Sequence, residues 1–212
     1  MKLRKIGNSI SFKTVLRYLA ELLIVAFGVF LGVYYSNINN DYKVLREKEK
    51  SISLIISELE INKELLEEQI AYHTIIKTEI DSIIPSLTEA KMNLEFTPYA
   101  LKDLEIKGWK GFLYGRLQKT AYESTKTSGV IKEFDIELIQ KLTDTYNFQE
   151  TYVELGTSIL DKAISINSSM KLMDFLATIK LMTSDLLGTE ESLLKKLERN
   201  ISELKSIKSL HS

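Results

Sequence analysis

The chain has 212 residues, of which 44% are apolar and 27% are charged, and its formal net charge is -1 at pH 7. It has no cysteine and only two histidines, which excludes disulfide frameworks, thiolate zinc sites, cysteine nucleophiles and multi-histidine metal sites. A pI near 6.2 gives no overall basic surface for nucleic acid. The charge is uneven, however: residues 1–35 hold five basic residues and one acidic residue, so the rest of the chain is acidic.

The first predicted element is a membrane-spanning signal anchor, residues 15–37, which follows a short basic tail, residues 1–14. Its uncharged core, residues 22–35, would rise about 21 Å as a helix, which is short for a hydrocarbon layer of about 30 Å. A full span therefore includes Glu21. No small-x-small cleavage site follows, and a core helix of a globular domain would have a polar face. These features favour an uncleaved anchor over a signal peptide or a buried helix.

The basic tail predicts a cytoplasmic N terminus in the bacterial inner membrane, with the remaining domain outside, in the periplasm. The contrast across the span is small, because Lys43, Arg46, Lys48 and Lys50 follow it. Long C-terminal domains cross the membrane largely regardless of charge, which favours the same orientation.

Glu21, Gly28 and Gly32 share one side of the predicted span, and Ser36 extends the row of small residues. Small residues four apart let two helix backbones approach closely, and a carboxylate in the membrane usually faces a partner or water. This face is predicted to pack against a second copy or a membrane protein partner. The alternatives are that glycine is simply common in membrane helices and that Glu21 pairs with Arg17 one turn earlier.

The domain that follows, residues 38–212, is predicted to be all-α. Its first helix is long, amphipathic and continuous with the span, and Pro85 ends it. The apolar stripe of this helix repeats every seven residues and is widened by further isoleucines: Leu45, Ile52, Leu59, Leu66, His73 and Ile80, with Ile55, Ile56, Ile70, Ile76, Ile83 and Ile84. Ser86 to Glu89 has a capping-box pattern that restarts a short helix, and Thr97-Pro98 opens another.

Residues 107–129 are interrupted early by glycines and then regain helical spacing. Leu113, Leu117 and Ala121 predict a helix that ends at Gly129. Asp135 is predicted to cap a further helix whose apolar spacing continues toward Leu181, with Gly156 as a weak point.

Thr189 is predicted to cap the last helix, whose seam comprises Leu194, Leu197, Ile201, Leu204 and Lys208. We expect segments 45–84 and 189–207 to pack together as the stalk of an antiparallel helical bundle or coiled coil, with residues 97–185 as its membrane-distal part. No pattern requires β-strands.

No phosphate-binding, metalloprotease or hydrolase motif is present, so the sequence predicts a protein that is not an enzyme and has no cofactor and no metal. His73 falls on the apolar stripe, where a hydrogen-bonded core histidine is the expected role. His211 lies in a tail that is expected to fray.

One cluster mixes aromatic rings with positive charge: Lys107, Trp109, Lys110, Phe112, Tyr114 and Arg116. Such a mixture suits an anionic lipid headgroup, a glycan or the acidic patch of a partner. The alternative is that the rings cap the bundle core while the cations are solvated.

Three segments carry a resemblance to a known family: Tyr18 to Val29 (YLAELLIVAFGV), Asn37 to Asn40 (NINN) and Ala121 to Gly129 (AYESTKTSG). They resemble an uncharacterised bacterial family of single-pass membrane proteins with a Glu-Leu-Leu-Ile-Val…Gly membrane segment, an Asn-rich exit and a helical domain. This chain has Asn-Ile-Asn where a tryptophan often follows the span. The resemblance implies topology and no activity.

Three functional hypotheses remain. The first is a non-enzymatic, membrane-anchored helical module that oligomerises or scaffolds an envelope protein complex. The second is a sensor or signal-input subunit working with a partner chain, and the third is a membrane-acting effector of a defence or toxin system. All three involve the lipid bilayer and none involves nucleic acid, while the sequence leaves open whether a small molecule binds.

Overall fold

The computed structural model describes residues 12–97, 102–167 and 169–210. The chain divides into two compact units, Met1–Glu47 and Lys48–Ser212, here called the N-terminal and C-terminal units. The predicted all-α class is confirmed for the described residues, which contain no β-strand and only one isolated bridge, between Glu95 and Lys171.

Helix α1, Phe12–Ile83, is a single helix of 72 residues. The predicted continuity between the apolar segment and the amphipathic helix is therefore confirmed. An 18-residue window near its N-terminal end has a mean hydropathy of 2.0, and none of that window is buried. By length and composition this helix could cross a membrane, and it lacks the burial of a core helix.

Beyond the apolar window, α1 presents the predicted stripe to the core of the C-terminal unit. Ile52, Leu59, Leu66, His73 and Ile80 are all buried, as are the flanking residues Ile55, Ile56 and Ile76. Leu45, which was predicted to start the stripe, is 43% exposed.

Pro85 ends α1 as predicted, within a 3-10 turn, Ile84–Ser86. The short helix α2, Glu89–Met92, follows, but its N-cap is Thr88, whose hydroxyl accepts a hydrogen bond from the Lys91 N–H at 3.3 Å. The predicted capping box at Ser86 is wrong, because the Ser86 hydroxyl instead donates to the carbonyl of Ile83. Pro98, the predicted start of the next helix, lies outside the described residues.

Residues 107–119 form a segment without helix or strand, which begins with a turn at residues 107–108 and is here called the strap. Helix α3, Thr120–Thr127, begins only after it. The prediction that Leu113 and Leu117 belong to a helix is therefore wrong. Gly129 stops α3 as predicted, with a φ of 78° that glycine adopts without strain, and a 3-10 turn, Val130–Glu133, follows.

Helix α4, Ile136–Ile164, begins at the predicted N-cap, since the Asp135 carboxylate accepts a hydrogen bond from the Glu137 N–H at 2.9 Å. It continues through Gly156 without a break. It ends at Ile164 rather than running on toward Leu181, so that part of the prediction is wrong.

The last part of the chain contains α5, Leu172–Leu181, a π-helical turn, Met182–Leu186, and α6, Leu187–Leu210. These elements follow one another without an intervening loop. Thr189 is therefore not an N-cap: its hydroxyl donates to the carbonyl of Asp185 one turn earlier at 2.8 Å. On α6, Leu193, Leu197, Ile201 and Leu204 are buried, so Leu193 replaces the predicted Leu194 in the seam, and Lys208 is exposed.

Helices α1, α4 and α6 lie side by side in the C-terminal unit. From α1 to α6, contacts join His73 to Glu190, Lys63 to Glu198 and Glu60 to Lys205, so residue numbers rise along one helix while they fall along the other. Helix α4 contacts both neighbours through the pairs Glu58–Tyr146, Asn200–Thr145 and Glu203–Lys141. Residues 97–185 were predicted to lie beyond the contact between α1 and α6. That prediction is wrong for α4, which runs beside this contact.

Candidate functional site

The interior of the C-terminal unit contains ten buried polar side chains among the described residues. They are distributed over all the major helices: Glu58, Asn62, His73, Thr125, Thr145, Gln149, Thr178, Thr183, Glu190 and Asn200. Burying such groups is costly unless each has a hydrogen-bond partner. Half of them, together with three tyrosines, surround the strap and the first turn of α3.

Glu58 of α1 caps α3 from a neighbouring helix. Its carboxylate accepts hydrogen bonds from the N–H groups of Ala121 at 2.6 Å and Tyr122 at 3.3 Å. The N-cap residue of α3, Lys119, supplies no side-chain cap of its own. The Tyr146 hydroxyl donates to the same carboxylate at 2.7 Å. Three donors and the positive end of a helix dipole thus stabilise this buried carboxylate.

One turn further along α1, Asn62 binds both main-chain groups of Gln118. The Asn62 amide donates to the Gln118 carbonyl at 2.7 Å and accepts from the Gln118 N–H at 2.7 Å. Gln149 of α4 donates to the same carbonyl at 3.0 Å. This end of the strap is therefore held through its backbone, in the way that a β-strand partner would hold it.

A three-residue cluster of His73, Glu190 and Tyr152 holds the middle of the strap. His73 Nε2 lies 2.9 Å from the Leu113 carbonyl, which can only accept, so Nε2 carries a hydrogen. His73 Nδ1 lies 2.8 Å from Glu190 Oε2, and both side chains are fully buried. With one shared proton in that hydrogen bond the pair has no net charge, which reduces the cost of burying it.

Tyr152 links this cluster to the strap backbone. Its hydroxyl donates to Glu190 at 3.2 Å and accepts from the Gly115 N–H at 2.7 Å. At the other end of the strap the Tyr72 hydroxyl has the same double role: it donates to the Gly111 carbonyl at 2.6 Å and accepts from the Lys110 N–H at 3.1 Å.

The same surroundings suppress ionisation of the buried tyrosines. Burial raises the pKa of Tyr146 far above the ordinary tyrosine range, and the adjacent Glu58 carboxylate raises it further. Burial likewise raises the pKa of Tyr152, with Glu190 adding to the effect. Both hydroxyls therefore remain protonated donors throughout the physiological pH range.

One side chain of the strap is anchored by packing. The Tyr114 ring covers Gly156 of α4 so closely that a Cβ atom there would lie 2.6 Å from the ring carbon Cγ. The Tyr114 hydroxyl also lies 3.1 Å from the Thr157 hydroxyl. Gly156 therefore allows the Tyr114 ring of the strap to lie directly against α4. It is not the interruption of the helix that the sequence predicted.

These contacts define a groove whose polar side chains are directed mainly at the main chain of an extended segment. Such recognition satisfies main-chain groups of Lys110, Gly111, Leu113, Gly115 and Gln118 in a segment that forms no ladder with another strand. One groove atom lacks a partner in the described part of the chain, the buried amide oxygen of Gln69. What the arrangement accomplishes chemically is to hold a peptide backbone in place.

The predicted aromatic and basic cluster is divided between two environments. The rings of Trp109 and Phe112 pack edge to face at 5.1 Å, and both contact the Phe175 ring of α5. Tyr114 lies against α4, as described above. The three charged members are exposed: Lys107, Lys110 and Arg116.

The predicted membrane face lies on the unburied part of α1. The carboxylate of Glu21 accepts a hydrogen bond from Arg17 Nε at 3.0 Å, which is the pairing one turn apart that the sequence offered as an alternative. No atom of another element lies within 4 Å of a Cβ built on Gly28 or Gly32, so both positions are open. Their role in helix packing stays a prediction.

Sequence reasoning missed most of the groove. It placed His73 on the apolar stripe as a hydrogen-bonded core histidine, which the structure confirms, but it did not single out Glu58, Asn62, Gln149 or Glu190. A signal was present, since Glu58 and Asn62 are four residues apart, as are Gln69 and His73, on the core side of α1. A polar residue repeating on an apolar helix face indicates a polar partner inside the fold.

Among the described residues, no group of three or more histidine, aspartate or glutamate side chains is arranged to hold a metal ion. His211 lies outside the described residues. No protein-family model, curated protein or solved structure matches the chain. Membership of the single-pass family that the chain resembles therefore stays a prediction.

Proposed function

We propose that the chain is a non-enzymatic, membrane-anchored helical module that oligomerises or scaffolds an envelope protein complex. The observation that carries this proposal is the apolar window near the N-terminal end of α1, which has a mean hydropathy of 2.0 and no burial. Apolar side chains left this exposed over an entire helix segment need a lipid or protein environment. The resemblance to a single-pass family supports the same topology.

The interior of the C-terminal unit supports a scaffolding role. Its buried polar groups are engaged with the strap and with each other, which rigidifies a helical domain and fixes the positions of its outer surfaces. In this proposal the unit is an antiparallel helical bundle that lies outside the inner membrane, in the periplasm, while the N terminus is cytoplasmic.

Membrane anchoring is tested by washing membranes with alkaline carbonate. We expect the full chain to stay in the membrane fraction, because an uncleaved span is effectively irreversibly inserted. A mature N terminus near Ser36 would instead identify residues 1–35 as a cleaved signal peptide and would contradict the proposal.

Orientation can be tested cleanly because the chain has no cysteine of its own. Ser206→Cys should react with a membrane-impermeant thiol reagent once the outer membrane is permeabilised. The matched control Ser9→Cys should react only after the inner membrane is lysed. The reverse pattern would place the C-terminal unit in the cytoplasm and would contradict the proposed topology.

A further inference from the structure

The strap is a positively charged segment of a unit that is otherwise acidic. Residues 107–119 contain four basic residues and no acidic residue. The rest of the chain after residue 35 has 19 basic against 28 acidic residues. Since the groove holds the strap through its main chain and its aromatic rings, the basic side chains are left outside on a fixed backbone.

Three of the four basic side chains of the strap do not take part in ion pairs within the described part of the chain. Lys107, Lys110 and Arg116 are exposed, and none of them forms an ion pair with a carboxylate in residues 12–97, 102–167 or 169–210. The fourth, Lys119, binds Glu150 of α4 at 2.8 Å. Some other lysines of the unit do form ion pairs: Lys77 and Lys180 both bind Asp81.

An acidic cleft lies between α1 and α6. Four carboxylates and two ammonium groups line it, together with Ile201 and Ser202: Glu60, Glu64, Glu67, Glu198, Lys63 and Lys205. Lys205 binds Glu60 at 2.6 Å, and Lys63 binds Glu67 at 2.8 Å and Glu198 at 3.7 Å. Two cations thus serve three carboxylates, Glu64 forms no ion pair with another described residue, and the cleft retains an excess of negative charge.

The strap and the cleft lie on different faces of α1. Asn62 holds the strap, whereas Glu60 and Glu64, two residues to either side of it, line the cleft. Residues two apart on an α-helix point about 200° away from each other. A strap fixed to one face of α1 therefore cannot reach the cleft of its own molecule, although the two surfaces have opposite charge.

We propose that the exposed cations of the strap bind the acidic cleft of a second copy of this chain. This inference rests on the proposed function, which includes oligomerisation, and it names the contact and the partner. Because the strap and the cleft lie on different faces of α1, one such contact leaves a free cleft on one copy and a free strap on the other. Repetition of such a contact produces a ring or an open array rather than a closed two-fold dimer.

The test is self-association of the full chain in phosphatidylcholine vesicles, measured by energy transfer between two differently labelled populations. The triple variant K107E/K110E/R116E should weaken association about tenfold or more, and high salt should weaken association of the parent in the same way. The matched control K132E/K162E/K195E makes the same change in net charge at exposed lysines elsewhere and should alter association less than about twofold.

Complementation identifies the partner surface. The variant E64K/E198K reverses the charge of the cleft and should also lose association with itself. Mixed with K107E/K110E/R116E it should regain association, because the charges are again opposite. Failure of the mixture to associate, with both variants retaining the parent's helical circular dichroism, would overturn the proposal.

The remaining outcomes are also distinct. Association that is equal for the parent and the strap variant would overturn this inference, and association only when phosphatidylglycerol is present would assign the strap to lipid phosphate instead. Neither result affects the carbonate and labelling tests, so the proposed membrane anchoring fails or stands separately.

Discussion

At Gly156 a single hydrogen atom in place of a methyl group lets the strap reach α4. We expect Gly156→Ala to destabilise the C-terminal unit by about 1–3 kcal/mol, because the new Cβ would collide with the Tyr114 ring. The matched control is Gly188→Ala in α6, where nothing lies within 4 Å of the added atom. There alanine should stabilise the helix by up to about 1 kcal/mol. Thermal unfolding followed by circular dichroism measures both, and equal shifts would contradict the tight contact.

Asn62 carries a second prediction at the residue scale. Asn62→Ala removes a buried amide and leaves the part-buried Gln118 N–H without its partner, which should cost about 1–3 kcal/mol. The main-chain N–H of Gln118 should then exchange its hydrogen with solvent faster than in the parent. Asn147→Ala, at an exposed position of the neighbouring helix α4, is the control and should change neither quantity. Slow exchange at Gln118 in the variant would show that the strap does not depend on this contact.

The buried tyrosines predict how stability depends on alkaline pH. Burial raises the pKa of Tyr146 and of Tyr152 in the folded chain, whereas both have the ordinary value of about 10 when unfolded. Their contribution to stability is therefore complete below about pH 10 and declines as the pH rises above it, since only the unfolded chain releases the protons easily.

Tyrosinate absorbance in a pH titration checks this. Fewer than the ten tyrosines of the chain should ionise before the helices unfold. Tyr146→Phe should reduce the absorbance step that accompanies unfolding by one residue and leave the earlier step unchanged. Ionisation of all ten before any loss of helix would contradict the buried environment.

At the scale of elements, an engineered disulfide can join the strap to α4. The chain contains no cysteine of its own, so two introduced cysteines have no other thiol in the same chain to pair with. A Cβ on residue 156 would lie 3.0 Å from the Cβ of Tyr114, below the range of about 3.5–4.5 Å for disulfides, so the strap must move outward by about half an ångström to form the bond. We expect the double variant Tyr114→Cys/Gly156→Cys to form an intrachain disulfide under mild oxidation. The oxidised form should be more stable than its reduced form by about 2–4 kcal/mol. Only interchain crosslinks would show that the strap does not lie against its own α4.

The elements that the sequence predicted well are those with local signals. The stripe of α1, its end at Pro85, the cap at Asp135 and the stop at Gly129 each depend on residues within a few positions of the feature. The strap has no such signal: Leu113 and Leu117 have helical spacing, yet their segment is extended. Its conformation is set by side chains far away in sequence, such as Asn62, which lies 56 residues before Gln118.

The join between α5 and α6 was missed for a related reason. Thr189 has the residue type of an N-cap, but threonine also donates to the carbonyl one turn earlier inside a helix, as it does here to Asp185. Local residue type does not distinguish these two roles. The candidate site was similarly predicted only in part. The aromatic and basic residues of the strap were singled out, but the polar residues of the groove were not.

At the scale of the whole molecule, the predicted membrane face is tested by crosslinking the full chain in membranes. Gly28→Ile and Gly32→Ile should weaken self-association through α1, because a branched side chain keeps two backbones apart. Val29→Ile, on a different face, is the control. If every variant crosslinks like the parent, the small residues of this segment do not form the contact.

Glu21 refines that experiment. Glu21→Gln should weaken association less than Gly28→Ile if the carboxyl group is protonated, because glutamine keeps hydrogen-bonding capacity. It should weaken association more if the carboxylate acts as an anion, as its contact with Arg17 suggests. The ratio of the two effects therefore reports the charge of Glu21.

The groove also determines the order in which contacts to α1 can form while the chain is being synthesised. His73 leaves the ribosome long before its partner Glu190, which is 117 residues later in the chain. At about 5–20 residues per second, that delay is roughly 6–23 s. During this time the His73 imidazole on the apolar face of α1 lacks its Glu190 partner, although the partners of Glu58 and Asn62 in the strap, α3 and α4 are synthesised earlier. A nascent chain stalled after α4 should therefore be sensitive to protease along α1, and resistance should arise only when α6 has emerged.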